Sequence, residues 1–445
     1  MPDLGDLCDA AVGSARDGEA VEAYAEESRR VEVTAHKGEV EGLQFAESRG
    51  VGVRLIAGGR LGYAYAADPT LDEVRDAVGR AREGAALATE DPFNVLPAAS
   101  TTDPIPSLFR ENQSAMTTDR KVAVALDLER LATTTDPRVT KVERAEYGDA
   151  VSRVAIASTA GLVAEYERTD CWCAVSTLAE DGDETQTGWS LRVGHEAAEL
   201  DWVNVASEAV ERAVRLLGAR KPPSARVPVV LDPFAGSSFL GVLAGALSAE
   251  SVQKQRSLFA GLVGEQVASD AFTLVDDGRL IGGPACAPFD DEGVATSRTE
   301  LVARGRLSGF LHDTYTAARG RTVSTGNARR AGYRSPPGVG TSNFFVEAGE
   351  TSVEDILRLA EGGVLIQDVS GVHSGANPIS GEFSVGATGL RIAGGALGEP
   401  LREMTVASTL PQMLRGVAAI GTDLRFFTSV GVPTILVGEM TVAGV

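Results

Sequence analysis

The fold of this chain is decided by a paired run of alternating residues near its N-terminus: Val51-Gly52-Val53-Arg54-Leu55-Ile56-Ala57-Gly58-Gly59-Arg60-Leu61-Gly62-Tyr63-Ala64-Tyr65-Ala66. Apolar side chains alternate with polar or small ones on both sides of Gly58-Gly59, which is typical of two strands joined by a tight turn. Similar runs precede this hairpin, separated by Gly38 and Gly50. The pattern predicts an antiparallel meander of five short strands, at 21–27, 31–36, 43–48, 51–57 and 61–66.

A helix follows the meander and begins with a capping box. In Thr70-Leu71-Asp72-Glu73 the hydroxyl of Thr70 and the carboxylate of Glu73 can each accept an amide of the first turn. More strand-like runs lie between residues 141 and 193, and another helix ends near Leu217, before Gly218. Residues 1–220 therefore form one predicted domain with two rounds of strands and helix, which suggests an internal duplication.

Two consecutive prolines mark the boundary of this domain. Residues 221–226 read Lys-Pro-Pro-Ser-Ala-Arg and are predicted to be a linker, because proline resists both helix and central strand. The second domain, residues 227–445, contains a predicted helix over 235–254 that is apolar or small on all sides over its first four turns and should be buried. Since 445 residues exceed one core, we expect an α+β protein whose two domains have curved, mainly antiparallel sheets and flanking helices.

The charge balance limits the class of partner. The chain carries 41 basic and 62 acidic side chains, a net charge of −21, whereas DNA and anionic membranes attract basic surfaces. No run of 18 apolar residues occurs, and the first residues are acidic where a signal peptide would be basic. We therefore expect no nucleic acid, no membrane and a cytoplasmic location.

Several residues of reactive type have ordinary structural explanations. Cys171 and Cys173 would share one face of a strand and pack there. His195 begins the string His-Glu-Ala-Ala-Glu-Leu, which lacks a second histidine at metal-binding spacing, so it is predicted to be the polar start of the following helix. The acidic run at residues 290–292 is predicted to lie in a solvated loop.

One glycine- and serine-rich loop, residues 371–384, holds the ingredients of a ligand site. A histidine, hydroxyls and a carboxylate can orient a ligand or perform acid–base chemistry. The candidate ligand-binding residues are His373, Asn377, Ser380 and Glu382. A sharp connection between two strands is the alternative explanation for this composition.

Further stretches in both predicted domains carry a family resemblance through their order and spacing. They are Gly50-Val51-Gly52-Val53-Arg54, Gly59-Arg60-Leu61-Gly62-Tyr63-Ala64, Asp91-Pro92-Phe93, Ser324-Thr325-Gly326-Asn327-Ala328-Arg329-Arg330, Gly381-Glu382-Phe383-Ser384-Val385-Gly386-Ala387-Thr388-Gly389 and the segment from Glu403-Met404-Thr405-Val406-Ala407 to Ile420-Gly421-Thr422-Asp423. The chain resembles the TldD/PmbA (TldE) family of metallopeptidase subunits over nearly its whole length.

The resemblance implies a zinc site in the catalytic branch of that family, with His-Glu-x-x-x-His on a helix and a cysteine near the C-terminus. Imidazole and thiolate suit zinc, and the glutamate can accept a proton from a bound water. In this chain the motif positions fall on Leu240, Gly241 and Gly245, and residues 426–431 contain no cysteine. No metal site and no catalytic residue are therefore predicted, and the chain is more similar to the TldE/PmbA branch, which lacks the motif.

The resemblance further implies a partner role. We expect a non-catalytic subunit that forms a heterodimer, or a larger assembly, with a TldD-like subunit; the partner would supply the zinc, and the complex would degrade or trim peptides. Two alternatives stay open. One is a zinc-independent amide or peptide hydrolase built on the loop of residues 371–384, and the other is a homo-oligomeric peptide-binding protein.

Overall fold

A computed structural model describes residues 1–444, of which the helical share is 24% and the strand share 41%. The helices are α1 (Leu4–Val12), α2 (Leu71–Leu87), α3 (Glu111–Ser114), α4 (Thr118–Thr135), α5 (Trp202–Val214), α6 (Pro233–Ala246), α7 (Ala249–Gln253), α8 (Thr314–Gly320), α9 (Val353–Leu359), α10 (Val372–Gly375) and α11 (Leu410–Arg415). The strands are β1 (Glu19–His36), β2 (Glu39–Ala57), β3 (Arg60–Ala67), β4 (Val139–Ser158), β5 (Val163–Asp181), β6 (Glu184–Gly194), β7 (Ala225–Leu231), β8 (Leu274–Asp277), β9 (Arg298–Ala303), β10 (Arg306–Leu307), β11 (Ala328–Arg329), β12 (Gly338–Val339), β13 (Phe344–Val346), β14 (Val364–Ser370), β15 (Glu382–Ala393), β16 (Ala396–Thr409), β17 (Val417–Ile420), β18 (Arg425–Phe426), β19 (Val430–Val432) and β20 (Ile435–Ala443). The predicted α+β class is confirmed.

One antiparallel sheet organises the N-terminal half. Its strand order is β3-β2-β1-β4-β5-β6, with β1 and β4 paired at the centre. The order helix, three strands, helix occurs twice, as α1-β1-β2-β3-α2 and as α4-β4-β5-β6-α5; we call residues 4–87 the first repeat and residues 118–214 the second. Alternate residues of β1, such as Val21 and Val33, are buried under these helices, while Tyr24 packs with Tyr333 of the C-terminal half.

The predicted number of strands in the meander is wrong. Strands β1 and β2 each continue unbroken through the positions where two short strands were predicted. Gly50 does not end a strand: a Cβ at this position would lie 2.3 Å from the ring of Tyr333. Glycine inside a strand can mark the close approach of another segment instead of a break, which explains the error. The capping box at Thr70 and Glu73 is confirmed.

Two sheets form the C-terminal half. Strands β16-β15-β14-β7-β20 close into a barrel because β16 also pairs with β20, and β17 adds to β20. The other sheet has the order β10-β9-β8-β13-β19-β18. Strand β7 begins at Ala225, which pairs with Val442, so the regular structure starts two residues before Val227. Within residues 1–444, no helix is long and apolar enough to cross a membrane.

The single helix predicted over residues 235–254 is wrong, because two helices occupy this segment. Helix α6 ends at Ala246, and the side chain of Ser248 caps α7 by accepting the amide of Glu250 at 3.2 Å. Between them the backbone pairs with Leu311, which accepts from the amide of Ala249 at 2.9 Å. The cap at Ser248 and the pairing with the distant Leu311 end α6. The apolar composition of the segment indicates neither of them.

Candidate functional site

Helix α6 carries the positions where the resemblance implies zinc ligands. Leu240 is 0% exposed and belongs to the main core of the C-terminal half. Gly241 and Gly245 are exposed, and a Cβ built on either would meet no atom within 4 Å. The prediction that this helix is buried on all sides is therefore wrong for one face, where glycine leaves the backbone uncovered. Gly236 lies against Val432 of β19, so α6 packs beside the C-terminal segment that lacks the cysteine.

The residues at these positions do not fit a zinc ion. Zinc in proteins is held by sulfur, nitrogen or oxygen atoms of side chains, and leucine and glycine offer none. Among the described residues, no group of three histidine, cysteine, aspartate or glutamate side chains is arranged to hold a metal. Helix α6 keeps the packing of a core helix without the donor atoms.

The predicted loop residues lie at the surface, at the start of β15. The side-chain oxygen of Asn377 accepts the amides of Ile379 at 2.8 Å and Ser380 at 3.1 Å, which closes a tight turn. The hydroxyl of Ser380 donates to the carboxylate of Glu382 at 3.4 Å. His373 is exposed in α10, and within residues 1–444 no hydrogen bond joins it to the other three. The structure thus brings three of the four candidates together, and their ligand role stays a prediction.

A buried ionic cluster joins the two halves of the molecule. The guanidinium of Arg54 donates to Glu22 and to Glu292, each at 2.6 Å, and Arg330 also pairs with Glu22. The backbone amide of Thr314 donates to the second oxygen of Glu292 at 2.8 Å. We call Glu22, Arg54, Glu292 and Arg330 the seam cluster, because it links strands β1 and β2 to the loops of the C-terminal half.

Charge pairing decides the protonation states in the seam cluster. Burial disfavours a charged guanidinium, but the carboxylates of Glu22 and Glu292 outweigh that effect and raise the pKa of Arg54. Burial likewise raises the pKa of Glu292, but Arg54 and Thr314 outweigh it and lower the pKa overall. Asp290, beside it, has a raised pKa because of burial and the charge of Glu292. The predicted solvated loop at 290–292 is therefore wrong, since Asp290 and Glu292 are both 0% exposed.

A sequence signal for this cluster exists in the hairpin register. Glu22 lies in Val21-Glu22-Ala23 and Arg54 lies in Val53-Arg54-Leu55, so each charge interrupts an apolar run. A turn at Lys37-Gly38, together with a bulge at Glu41, places Glu22 directly opposite Arg54 in the β1–β2 pair. A charge that interrupts a buried strand indicates a buried partner. The contribution of Glu292 and Arg330 comes from distant loops and has no such signal.

A cleft of about 290 Å³ opens beside the seam cluster. Arg54 forms part of its lining, together with Ile56 and Leu61, and Asp91 and Asp313 contribute carboxylates. The hydroxyl of Tyr315 donates to Asp91 at 2.9 Å, and Asp313 caps α8 by accepting the amide of Thr316 at 2.7 Å. Both carboxylates therefore already accept a hydrogen bond from the protein, and burial raises the pKa of Asp313.

A second contact between the halves centres on His195. Its Nδ1 lies 2.8 Å from the carbonyl oxygen of Thr169, and its Nε2 lies 3.2 Å from that of Gly283. Carbonyl oxygens only accept, so a doubly protonated ring satisfies both. Burial alone would lower the pKa of His195, but Asp170, Cys286 and Thr169 raise it to about 10. The predicted role as the polar start of a helix is wrong: His195 is 2% exposed, and α5 begins at Trp202.

Cys286 completes an arrangement that resembles a nucleophile with its base. Its sulfur lies 3.7 Å from Nε2 of His195, and Asp170 lies 3.5 Å from Nδ1. A thiol nucleophile requires access for a substrate, and Cys286 is 1% exposed. The trio therefore serves as an interdomain contact. Cys171 and Cys173, as predicted, are buried on one face of β5.

Comparison with known proteins accounts for nearly the whole chain. Residues 21–85 match PmbA/TldA metallopeptidase domain 1, residues 111–217 match the central domain, and residues 224–444 match the C-terminal domain of the same family. The three matches follow the order of the first repeat, the second repeat and the C-terminal half. The sheet and barrel described above thus correspond to recognised units of one family.

Individual relatives agree with these matches. Metalloprotease PmbA of Escherichia coli O157:H7 is 24% identical over 418 residues, which cover 93% of this chain and 90% of that protein. The metalloprotease TldD homolog of Haemophilus influenzae is 27% identical and covers 90% and 88%. The crystal structure of TldE from Thermococcus kodakarensis shares the fold, with a TM-score of 0.89, 23% identity, and 99% of each chain covered. This chain belongs to the PmbA/TldD metallopeptidase family.

Proposed function

We propose that this chain is the non-catalytic, cytoplasmic subunit of a peptidase complex whose zinc site lies in a TldD-like partner. The observation that carries the proposal is helix α6, where Leu240, Gly241 and Gly245 stand at the positions of His-Glu-x-x-x-His. Leu240 packs into the core, so the helix has a structural use independent of a metal. Both TldD-type and PmbA-type proteins are similar to this chain, which supports a partnership between family members.

The contribution of this subunit would be to hold and select peptide substrate. Extended peptides bind well by adding a strand to a sheet edge, because backbone hydrogen bonds are formed whatever the sequence. The net charge of −21 favours cationic peptides over acidic ones.

The test is a zinc measurement combined with peptide hydrolysis. The purified chain is assayed alone, the zinc-bearing homologue is assayed alone, and the two are assayed after co-expression. We expect stoichiometric zinc only where the homologue is present, and the highest hydrolysis from the pair. Zinc or hydrolysis in this chain alone would sink the proposal, and a stable homodimer that ignores the homologue would favour the homo-oligomeric alternative.

Restoring the motif gives a sharper version of the same test. The triple variant Leu240→His, Gly241→Glu, Gly245→His rebuilds His-Glu-x-x-x-His on α6. Because the C-terminal cysteine would still be absent and an imidazole would replace the core side chain of Leu240, we expect at most weak zinc binding with a lower unfolding midpoint. Full hydrolytic activity in this variant would mean that the missing side chains alone separate this chain from a peptidase.

A further inference from the structure

The outer half of strand β2 leaves one edge without a partner. Residues 39–48 pair with β1 on one side, but β3 pairs with β2 only from Gly50 onward. Nine of these ten residues are exposed, and at about 3.3 Å per residue the free edge is about 33 Å long. Such an edge is a template for pairing with another chain, and charged side chains, proline, a bulge or a covering segment limit that pairing. We call residues 39–48 the free half-strand.

The free half-strand also presents an apolar face. Leu43 pairs with Val33 and Phe45 pairs with Val31. The register shifts at Thr34 and Ala35, so that Val40 pairs with Ala35 and Glu41 is bulged out. Paired residues point to the same face of a sheet, so the bulge places Val40, Leu43 and Phe45 together. Their exposed fractions are 41%, 42% and 63%.

The second repeat shows what this surface lacks. In the equivalent strand β5, the residues before Cys171 also extend beyond the reach of the neighbouring strand β6. There the chain covers part of its own edge, because the backbone amide of Thr169 donates to the carbonyl of Leu108 at 3.2 Å. The side chain of Arg168 also donates to the carbonyl of Pro284 at 2.7 Å. The free half-strand of the first repeat has no such cover within the described residues.

A partner that covers the free half-strand must provide both a strand that pairs with its edge and a layer of side chains that packs on its apolar face. Val33, on the same face, is buried in a core that includes Val124 and Leu128 of helix α4. Leu43 and Phe45 continue that face one strand further out, beyond the helix. A lone peptide can satisfy the edge, and a folded subunit with a helix layer over its sheet can satisfy the edge and bury Phe45 as well. A family member has that layering.

Charge argues against a second copy of this chain as the occupant. The free half-strand carries Glu39, Glu41 and Glu47 and no lysine or arginine. In the antiparallel register that sets Leu43 against Phe45, Glu47 of one copy faces the bulge at Glu41 of the other, and like charges placed opposite each other destabilise a sheet. A partner strand with apolar residues flanked by lysine or arginine fits instead.

We propose that residues 39–48 extend the N-terminal sheet into the sheet of the TldD-like subunit, through a partner strand with basic residues beside an apolar centre. The identity of the partner rests on the function proposed above. The geometry of the surface, namely an unpaired edge with Val40, Leu43 and Phe45 on one face, does not depend on it.

The test measures the Kd between this chain and the zinc-bearing homologue for Phe45→Asp and for the matched control Val163→Asp. Val163 lies at the start of the equivalent half-strand of β5 and is 77% exposed, so both changes put a charge at an exposed apolar site. We expect Phe45→Asp to weaken binding about 30-fold or more, as a central interface residue does, and Val163→Asp to change it by less than about 2-fold. Thermal unfolding of both variants checks that the fold is intact.

Three results would overturn this inference in distinguishable ways. Equal Kd values for wild type and Phe45→Asp would show that the free half-strand is not the interface, while the partner role would still hold. No binding of the wild-type chain would remove the partner role, and self-association that depends on Phe45 would then identify a second copy as the occupant. If the double variant Glu41→Lys, Glu47→Lys binds the homologue with an unchanged or lower Kd, the partner strand does not carry the proposed basic residues. Slowed amide hydrogen exchange confined to residues 39–48 in the complex would support the proposal.

Discussion

Helix α6 and the seam cluster differ in the reactive side chains that they hold. Helix α6 stands where a zinc site is implied, yet Leu240 is packed in the core and Gly241 and Gly245 have no side chain to offer. The seam cluster gathers two carboxylates and two guanidiniums, yet each is paired within a buried network. A functional site needs unpaired, accessible donors, and neither region provides them. In this chain the charged groups hold the two halves together, and the helix has become part of the core.

The largest effect is expected from breaking the seam cluster. Arg54→Met would leave Glu22 and Glu292 buried without their shared cation, which should destabilise the protein by about 3–5 kcal/mol. The unfolding midpoint in denaturant measures the change. Arg60→Met is the matched control, since Arg60 is exposed near the β2–β3 turn, and its effect should stay within about 0.5 kcal/mol. Equal midpoints for the two variants would show that the cluster is not structural.

Helix α6 should respond on its two faces in opposite ways. Leu240→Ala should cost about 2–5 kcal/mol, because it opens a cavity in the core. Gly241→Ala, one residue further on an open face, should stabilise by up to about 1 kcal/mol through helix propensity. Denaturant unfolding of both variants checks this. A nearly neutral Leu240→Ala that abolishes activity of the assembled complex would mean that α6 lines a working site.

The His195 contact should make stability depend on pH in a defined direction. The pKa of His195 is raised to about 10 in the folded chain, against about 6.5 when unfolded. Its contribution is therefore complete below about pH 6.5 and is lost as the pH rises through 10. Asp170, Arg168, Cys286 and Glu199 are the other titratable groups around it.

The measurement compares His195→Gln with wild type at several pH values. Charge-assisted hydrogen bonds contribute about 1.5–3 kcal/mol each, so we expect a gap of that order at pH 7 that narrows towards pH 10. Unfolding free energies from denaturant titrations provide the values. A gap that widens with pH would show that the ring is neutral in the folded protein.

The smallest effect on stability is expected in the loop of residues 371–384. His373→Ala removes an exposed side chain, so the unfolding free energy should change by less than about 0.5 kcal/mol. The variant therefore tests function: if the loop contacts substrate, the KM of the assembled complex for peptide should rise while the unfolding free energy stays unchanged. Asn377→Ala is the paired control for turn geometry, because it removes the acceptor of two backbone amides.

The sequence predicted the fold class, the hairpin at Gly58-Gly59 and the capping box, because each depends on neighbouring residues. It failed where a distant segment decides the local structure. The pattern predicts a strand break at Gly50, but this residue makes room for Tyr333. It predicts the start of a helix at His195, but the ring of this residue lies between Thr169 and Gly283. In both cases a deciding contact, with Tyr333 or with Gly283, comes from the other half of the chain.

The sequence by itself determined the family and the absence of donor atoms on helix α6, since side-chain chemistry is fixed by residue identity. Only the tertiary structure decided that Glu292 and Arg330 meet Glu22 and Arg54, and that β2 has an unpaired outer half. Such features depend on which segments are brought together across the sheet. The local sequence pattern does not show which distant segments meet, because burial and charge compensation are properties of the assembled fold.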